Sequence, residues 1–231
     1  MTTLVAAAAV FVLIHLLISG TRLRDAITGV IGQGPYMGLF SLVSVAVLTW
    51  MGFAYAAAHR GPDPVYWAAT PTTEWIQLAI TFVAFLLSVP GLLTPNPTSV
   101  RQEATLERPD AVKGMLRVTR HPFLWGVALW AAGHLLVNGD LASLILFGSL
   151  LLLAVFGPAS IDAKRRRALG AAWDAFAAQT SAVPFAAIAQ GRQTLSLGEI
   201  GWWRLGLAVA IWAALIWAHP LLFGVSPLPG R

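Results

Sequence analysis

The chain carries five histidines, His15, His59, His121, His134 and His219, and each lies in an apolar run or at the end of one. Ionisable side chains are costly in hydrocarbon, so an imidazole in such a run marks a candidate functional site. Neutral imidazole offers a nitrogen donor without a charge, which suits iron ligation in a low-dielectric setting. The stretch Thr119–Asp140, TRHPFLWGVALWAAGHLLVNGD, holds two of the five. On a helix starting at Pro122, the residues Pro122, Gly126, Trp130 and His134 follow at i+4 spacing and form one slowly drifting stripe. Gly126 and Gly133 remove bulk beside that stripe, a surface that suits a flat macrocycle and equally suits a neighbouring helix. A hydrogen bond to a neighbouring helix is the alternative role for any single intramembrane histidine. Five of them, with almost no acidic residues in the apolar runs, favour a metal or cofactor. His121 precedes Pro122, which fits the first turn of a helix, so it reads equally as a cap or interfacial residue. His59 and His219 also read as polar helix ends.

These residues need elements to hold them, and composition says which kind. Of 231 residues, 57% are hydrophobic and 11% charged, against roughly 25% charged in a soluble domain. That excludes an ordinary soluble domain and points to a polytopic membrane protein. There is no cysteine, which excludes disulfides, thiolate metal sites and a cysteine nucleophile. The net charge of +5 sits in a few loops, where it encodes topology rather than nucleic-acid binding.

Six stretches approach the about 20 residues that a bilayer crossing takes: 3–20, 36–59, 75–93, 122–137, 141–160 and 202–223. Basic residues collect in three loops: Arg22 and Arg24; Arg101 to Arg120; and Lys164 to Arg167. The positive-inside rule places those loops in the cytoplasm and both termini on the other side, which for a bacterial inner membrane is the periplasm. The first span has no basic n-region and reads as a retained helix rather than a signal peptide. After span five, Leu169, Ala172, Trp173 and Phe176 recur at helical spacing behind a basic cluster. They predict an amphipathic helix on the cytoplasmic membrane surface, with a lid over a site as the alternative. The expected fold is an all-α bundle of six transmembrane helices plus that interfacial helix, in a single domain.

TRHPFLWGVALWAAGHLLVNGD, then LGAAWDAFAAQTSAVPFAAIAQGRQ, then WAHPLLFGVSPLP resemble the NnrU family of membrane proteins. They are similar too to the 15-cis-zeta-carotene isomerases of the same superfamily. The resemblance covers essentially the whole chain and includes His15 with Arg24-Asp25, Pro35-Tyr36 and Ala58-His59-Arg60. It implies, for the isomerase branch, a b-type haem held by two axial histidines, which match His134 and His15. That branch has a cysteine three residues before its span-four histidine; here Ala131 stands there, so thiolate ligand switching is closed to this chain. The NnrU branch is associated with nitrite and nitric oxide metabolism. A second resemblance, to isoprenylcysteine carboxyl methyltransferases, rests on Arg120-His121-Pro122 and a downstream segment ending in Val-Pro; it implies S-adenosylmethionine binding. In those enzymes the downstream segment usually carries paired acidic residues, whereas here Asp162 is followed by Lys164–Arg167.

Straight helices put His134 about 21 Å beyond Arg120 and His15 about 10 Å inside the flank at Arg22. The two differ by roughly 10 Å in depth, so an inclined ring or a shifted first span is needed to join them. His59 matches His134 in depth better and is the substitute second ligand. Arg117 and Arg120 are positioned to pair with haem propionates or with lipid phosphate. The leading expectation is therefore a redox-dependent cis-trans isomerase binding haem b, with an apolar polyene substrate entering from lipid past Trp125 and Trp130, and an electron donor that the sequence does not identify. The alternatives are an accessory or sensor protein in nitrite and nitric oxide metabolism, and a membrane methyltransferase.

Overall fold

A computed structural model describes residues 1–99 and 101–230. Helix α1 (Thr2–Leu13) runs on into a π-helical turn at Ile14–Ser19 that contains His15. Single π turns inside α-helices are frequently found at functional sites. Thr21 then caps a short helix, α2 (Arg22–Ile31), by accepting from Leu23 N–H at 3.2 Å. Gly32, at φ +83°, turns the chain directly into α3 (Gln33–Ala58). The first basic loop is thus itself helical, and α3 starts earlier than its apolar run.

Helix α4 (Pro71–Leu93) opens on a reciprocal Thr70–Thr73 cap with Pro71 in its first turn. A loop with a 3-10 turn at Glu103–Glu107 leads to α5 (Met115–Val118), α6 (Pro122–Val137) and α7 (Leu141–Leu169). Asp140 caps α7 by accepting from Ser143 N–H at 2.7 Å. Then follow α8 (Ala171–Gln179), α9 (Ala186–Ala189), α10 (Leu197–Ile200) and α11 (Trp202–Phe223). Among the described residues the only β pairing is an isolated bridge between Val65 and Asp140.

Among the described residues five helices are long and apolar enough to cross a membrane: Thr2–Ser19, α3, α4, α7 and α11. Helix α6 has 16 residues and spans about 24 Å, short of the about 30 Å hydrocarbon core. The exterior is apolar. Phe53 is 74% exposed and Trp217 and Leu221 are each 76% exposed. Surface of this kind is what lipid, rather than water, accommodates.

The helices pack because small residues let backbones approach. A Cβ built on Gly126 would lie 2.7 Å from the Ala84 carbonyl oxygen and collide with the Ser88 hydroxyl. Gly91 abuts Pro122, and Gly133 abuts Ile80, Gln77 and Thr81. The glycine stripe of α6 is therefore the seam with α4, so Gly126 faces a helix and not open space for a macrocycle. Gly126→Ala is expected to cost about 1–3 kcal/mol by overpacking. Gly148→Ala, where the new methyl group has nothing within 4 Å, is expected to be neutral or slightly stabilising. The tryptophan-fluorescence thermal midpoints of the two variants check this; equal midpoints would contradict the seam.

Helix α7 packs against both α6 and α1, and α1 also packs on α3. Leu4, Ala7, Phe11, Val47, Met51 and Ala142 form the core at that end. The stripe expected to lie on the membrane surface meets protein instead. Gly170, at φ +53°, breaks the helix after Leu169. Trp173 (0% exposed) and Phe176 (3%) then pack on Leu116, flanked by Leu106 and Val112. The periodicity was that of a helix burying one face, and the preceding 101–118 loop supplies the partner.

Candidate functional site

His15 and His134 have matching surroundings. In each case the imidazole Nδ1 lies 2.8 Å from the carbonyl oxygen four residues earlier, Phe11 for His15 and Trp130 for His134. A carbonyl only accepts, so Nδ1 carries the proton and Nε2 keeps its lone pair in the neutral ring. An Nδ1–H bond to a backbone carbonyl is the usual outer-shell arrangement for a metal-ligating histidine. The residue four earlier is aromatic both times. Phe11 tilts at 47° and Trp130 at 46° to its imidazole, each with centroids 4.5 Å apart. Phe40 meets His15 edge-on, and Phe147 stacks on His134 at 4.8 Å and 26°. The donor chemistry of both residues fits axial ligation of haem iron by neutral imidazole. Among the described residues no side-chain contact joins the two: His15 packs on Phe40 of α3 and His134 on Phe147 of α7. A cavity of about 200 Å³ is lined by Phe176 and one of about 300 Å³ by His121, and neither is lined by His15 or His134.

His59, the substitute ligand, lies in the same layer as His134 through Tyr55 and Phe147. Its ring, however, stands between two carboxylates, with Nδ1 3.0 Å from Asp63 Oδ2 and Nε2 3.9 Å from Asp140 Oδ1. His219 donates from Nδ1 to the Val225 carbonyl at 2.9 Å. Trp130 is half-buried between His134 and Phe147, whereas Trp125 is tied by its indole N–H to the Ala182 carbonyl at 2.7 Å.

A second cluster sits at the basic end. Asp162 on α7 accepts from Arg120 Nε at 3.0 and 3.1 Å and from His121 Nε2 at 2.7 Å. The His121 side chain is 1% exposed. Burial lowers its pKa, against the opposing pull of Asp162. Asn96 and Thr98 donate to the Arg120 carbonyl at 3.0 and 3.1 Å. Thr119 Oγ donates to Ala182 O at 2.8 Å, and Arg120 N–H to Ser181 O at 3.0 Å, so the TRHPF and TSAVPF segments are docked on one another. Arg117 makes a bidentate pair with Glu199 at 2.7 and 2.9 Å, which holds that carboxyl below its usual range. Neither guanidinium is left free for a propionate: Arg117 is committed to Glu199 and Arg120 to Asp162. Asp162 was the residue that sequence reasoning undervalued. Its signal was an acid at the end of an apolar helix facing Arg-His-Pro. The carboxylates around His59 were missed, although HRGPD and NGD each place an aspartate at a helix end.

The chain is 27% identical over 226 residues to a protein described as 15-cis-zeta-carotene isomerase, chloroplastic, of Arabidopsis thaliana, covering 94% of this chain and 59% of the relative. It is 28% identical over 194 residues to the protein of the same description from Zea mays, covering 80% of this chain and 50% of the relative. It thus spans about half the length of these curated relatives. No solved structure matches it. The family model described as NnrU protein matches residues 3–227, nearly the whole chain, and the protein belongs to that family.

Proposed function

We propose that this protein is a haem b-binding membrane isomerase that acts on a cis double bond of a polyene such as 15-cis-zeta-carotene. The observation that carries the reading is the twin arrangement at His15 and His134. In both, an aromatic residue four positions back and an Nδ1–H bond to its carbonyl leave Nε2 as the free donor. The likeness to the two carotene isomerases supports the substrate class. If bound, a haem would be held by His15 and His134 and would supply a redox-active iron able to assist rotation about a double bond. The chain's own residues do the rest. His134 and His15 hold the donors in one tautomer. Phe147 and Phe40 fix their ring planes. The apolar exterior admits a long hydrocarbon sideways from lipid. Six crossings, counting α6, accompany this reading, with the three basic loops on the cytoplasmic face of a bacterial inner membrane and both termini opposite.

Purified protein reduced with dithionite should consume 15-cis-zeta-carotene and yield the isomer lacking the 15-cis bond on chromatography, and oxidised protein should not. No conversion by haem-loaded, reduced protein would overturn the isomerase reading in favour of a sensor or accessory role in nitrite and nitric oxide metabolism.

A further inference from the structure

At the end of the bundle away from the basic loops, His59, Asp63 and Asp140 each offer a ligand atom, and these three atoms lie within 4.8 Å of one another. We propose that they form a binding site for one divalent transition-metal ion, of the zinc type, that clips the end of α3 to the start of α7. The site is independent of His15 and His134.

Asp63 Oδ2 points to a missing partner. The side chain is only 9% exposed, and this oxygen is buried with no hydrogen-bond donor. A buried carboxylate oxygen left unpaired is costly, and such atoms call for an explanation. The His59 Nδ1 atom is 3.0 Å away yet is not aligned as a donor to it. Two donors that approach without bonding to each other are arranged as neighbouring ligands on one ion are. Bonds of about 2.0–2.2 Å from a common tetrahedral metal place adjacent donors about 3.3–3.6 Å apart, a few tenths of an ångström from the spacing seen here.

The frame around the cluster is already built. Asp63 Oδ1 accepts from Ala142 N–H at 3.1 Å, and Asp140 Oδ1 from Ser143 N–H at 2.7 Å. Leu141 N–H donates to the Pro64 carbonyl at 2.9 Å, and Tyr66 N–H to the Gly139 carbonyl at 2.8 Å. Tyr55 braces the His59 ring edge-on at 4.5 Å. Among the described residues neither aspartate pairs with a lysine or arginine. The two carboxylates, one near each nitrogen of the His59 ring, repel each other until a cation joins them. A nitrogen donor beside two oxygens selects a borderline ion over magnesium or calcium, which take oxygen ligands. His59, with its side chain 38% exposed, gives the ion a way in.

The test is calorimetric titration of Zn²⁺ into chelator-treated full-length protein in detergent. Wild type should take up one equivalent per chain, and zinc should raise its thermal midpoint, since an ion that binds only the folded state stabilises it. His59→Gln and Asp63→Asn should each weaken uptake at least tenfold and abolish the rise in midpoint, while His134→Ala should leave both unchanged. His59→Gln keeps the backbone N–H that caps α3, so it reports even where an aspartate variant folds poorly. Absence of saturable uptake by wild type, or equal uptake by His59→Gln, would overturn the site and leave an ion pair only.

Discussion

His134→Ala is expected to abolish the low-spin haem spectrum of the purified protein and to lower isomerase turnover at least 100-fold. His134 is the more confined of the two proposed ligands, held between Trp130 at 4.5 Å and Phe147 at 4.8 Å. The substitution removes one hydrogen bond, from Nδ1 to the Trp130 carbonyl within its own helix. Such a bond contributes about 1 kcal/mol, so the fold should survive and the spectral loss should report ligation rather than collapse. Alanine leaves an aromatic-walled slot of imidazole size. Added imidazole should therefore restore the low-spin bands of His134→Ala, whereas it cannot rescue a merely structural defect. His121→Gln, remote from that slot, should keep the bands. Optical titration of the three proteins checks this, and an unchanged spectrum in His134→Ala would remove the residue from the site.

Asp162→Ala should produce the largest loss of stability of any single change at the basic end. The carboxylate is the shared acceptor of Arg120, whose side chain is 12% exposed, and His121, at 1%. Removing one member of a buried ionic network leaves its partners uncompensated, at a cost of about 3–5 kcal/mol. It also frees the Arg120-His121-Pro122 corner, on which Asn96, Thr98 and the 181–182 carbonyls depend. Glu199→Ala, which breaks the more exposed Arg117 pair (side chains 25% and 35% exposed), should cost about 1 kcal/mol or less. Acid acts on the same corner. Burial holds the folded-state pKa of His121 below its usual value, so the folded protein favours the neutral ring. That contribution is complete above the unfolded value of about 6.5 and is lost as the pH falls below it toward the folded value. Thermal midpoints between pH 8 and 5 should fall in wild type, and the fall should be shallower in His121→Gln. Equal midpoints for Asp162→Ala and Glu199→Ala would contradict the network.

Most of the scaffold was legible because hydropathy and helix ends are local signals. The start of α6 at Pro122 and its end at Val137 follow from the proline in its first position and the Asn-Gly-Asp after. What the sequence left open was partnership, which depends on distant residues. The i+4 stripe through Gly126 was visible, but its occupant, α4, is set by Ala84 and Ser88 some forty residues earlier. The amphipathic pattern of Leu169, Trp173 and Phe176 was equally visible, and only packing decides between lipid and Leu116 as its cover. The two arginines near Pro122 read as free cations because Asp162 and Glu199 lie far along the chain.

The proposed function rests on the free Nε2 atoms of His15 and His134 as the ligands of one haem iron. The absorption spectrum of wild-type protein purified after expression with haem supplied, together with its haem content per chain, tests it most directly. One b-type haem per chain is expected, with the Soret and visible bands of a low-spin, two-imidazole complex, reduced to one imidazole in His15→Ala and in His134→Ala alike. Folded protein with no Soret band, or with bands indifferent to both substitutions, would contradict it.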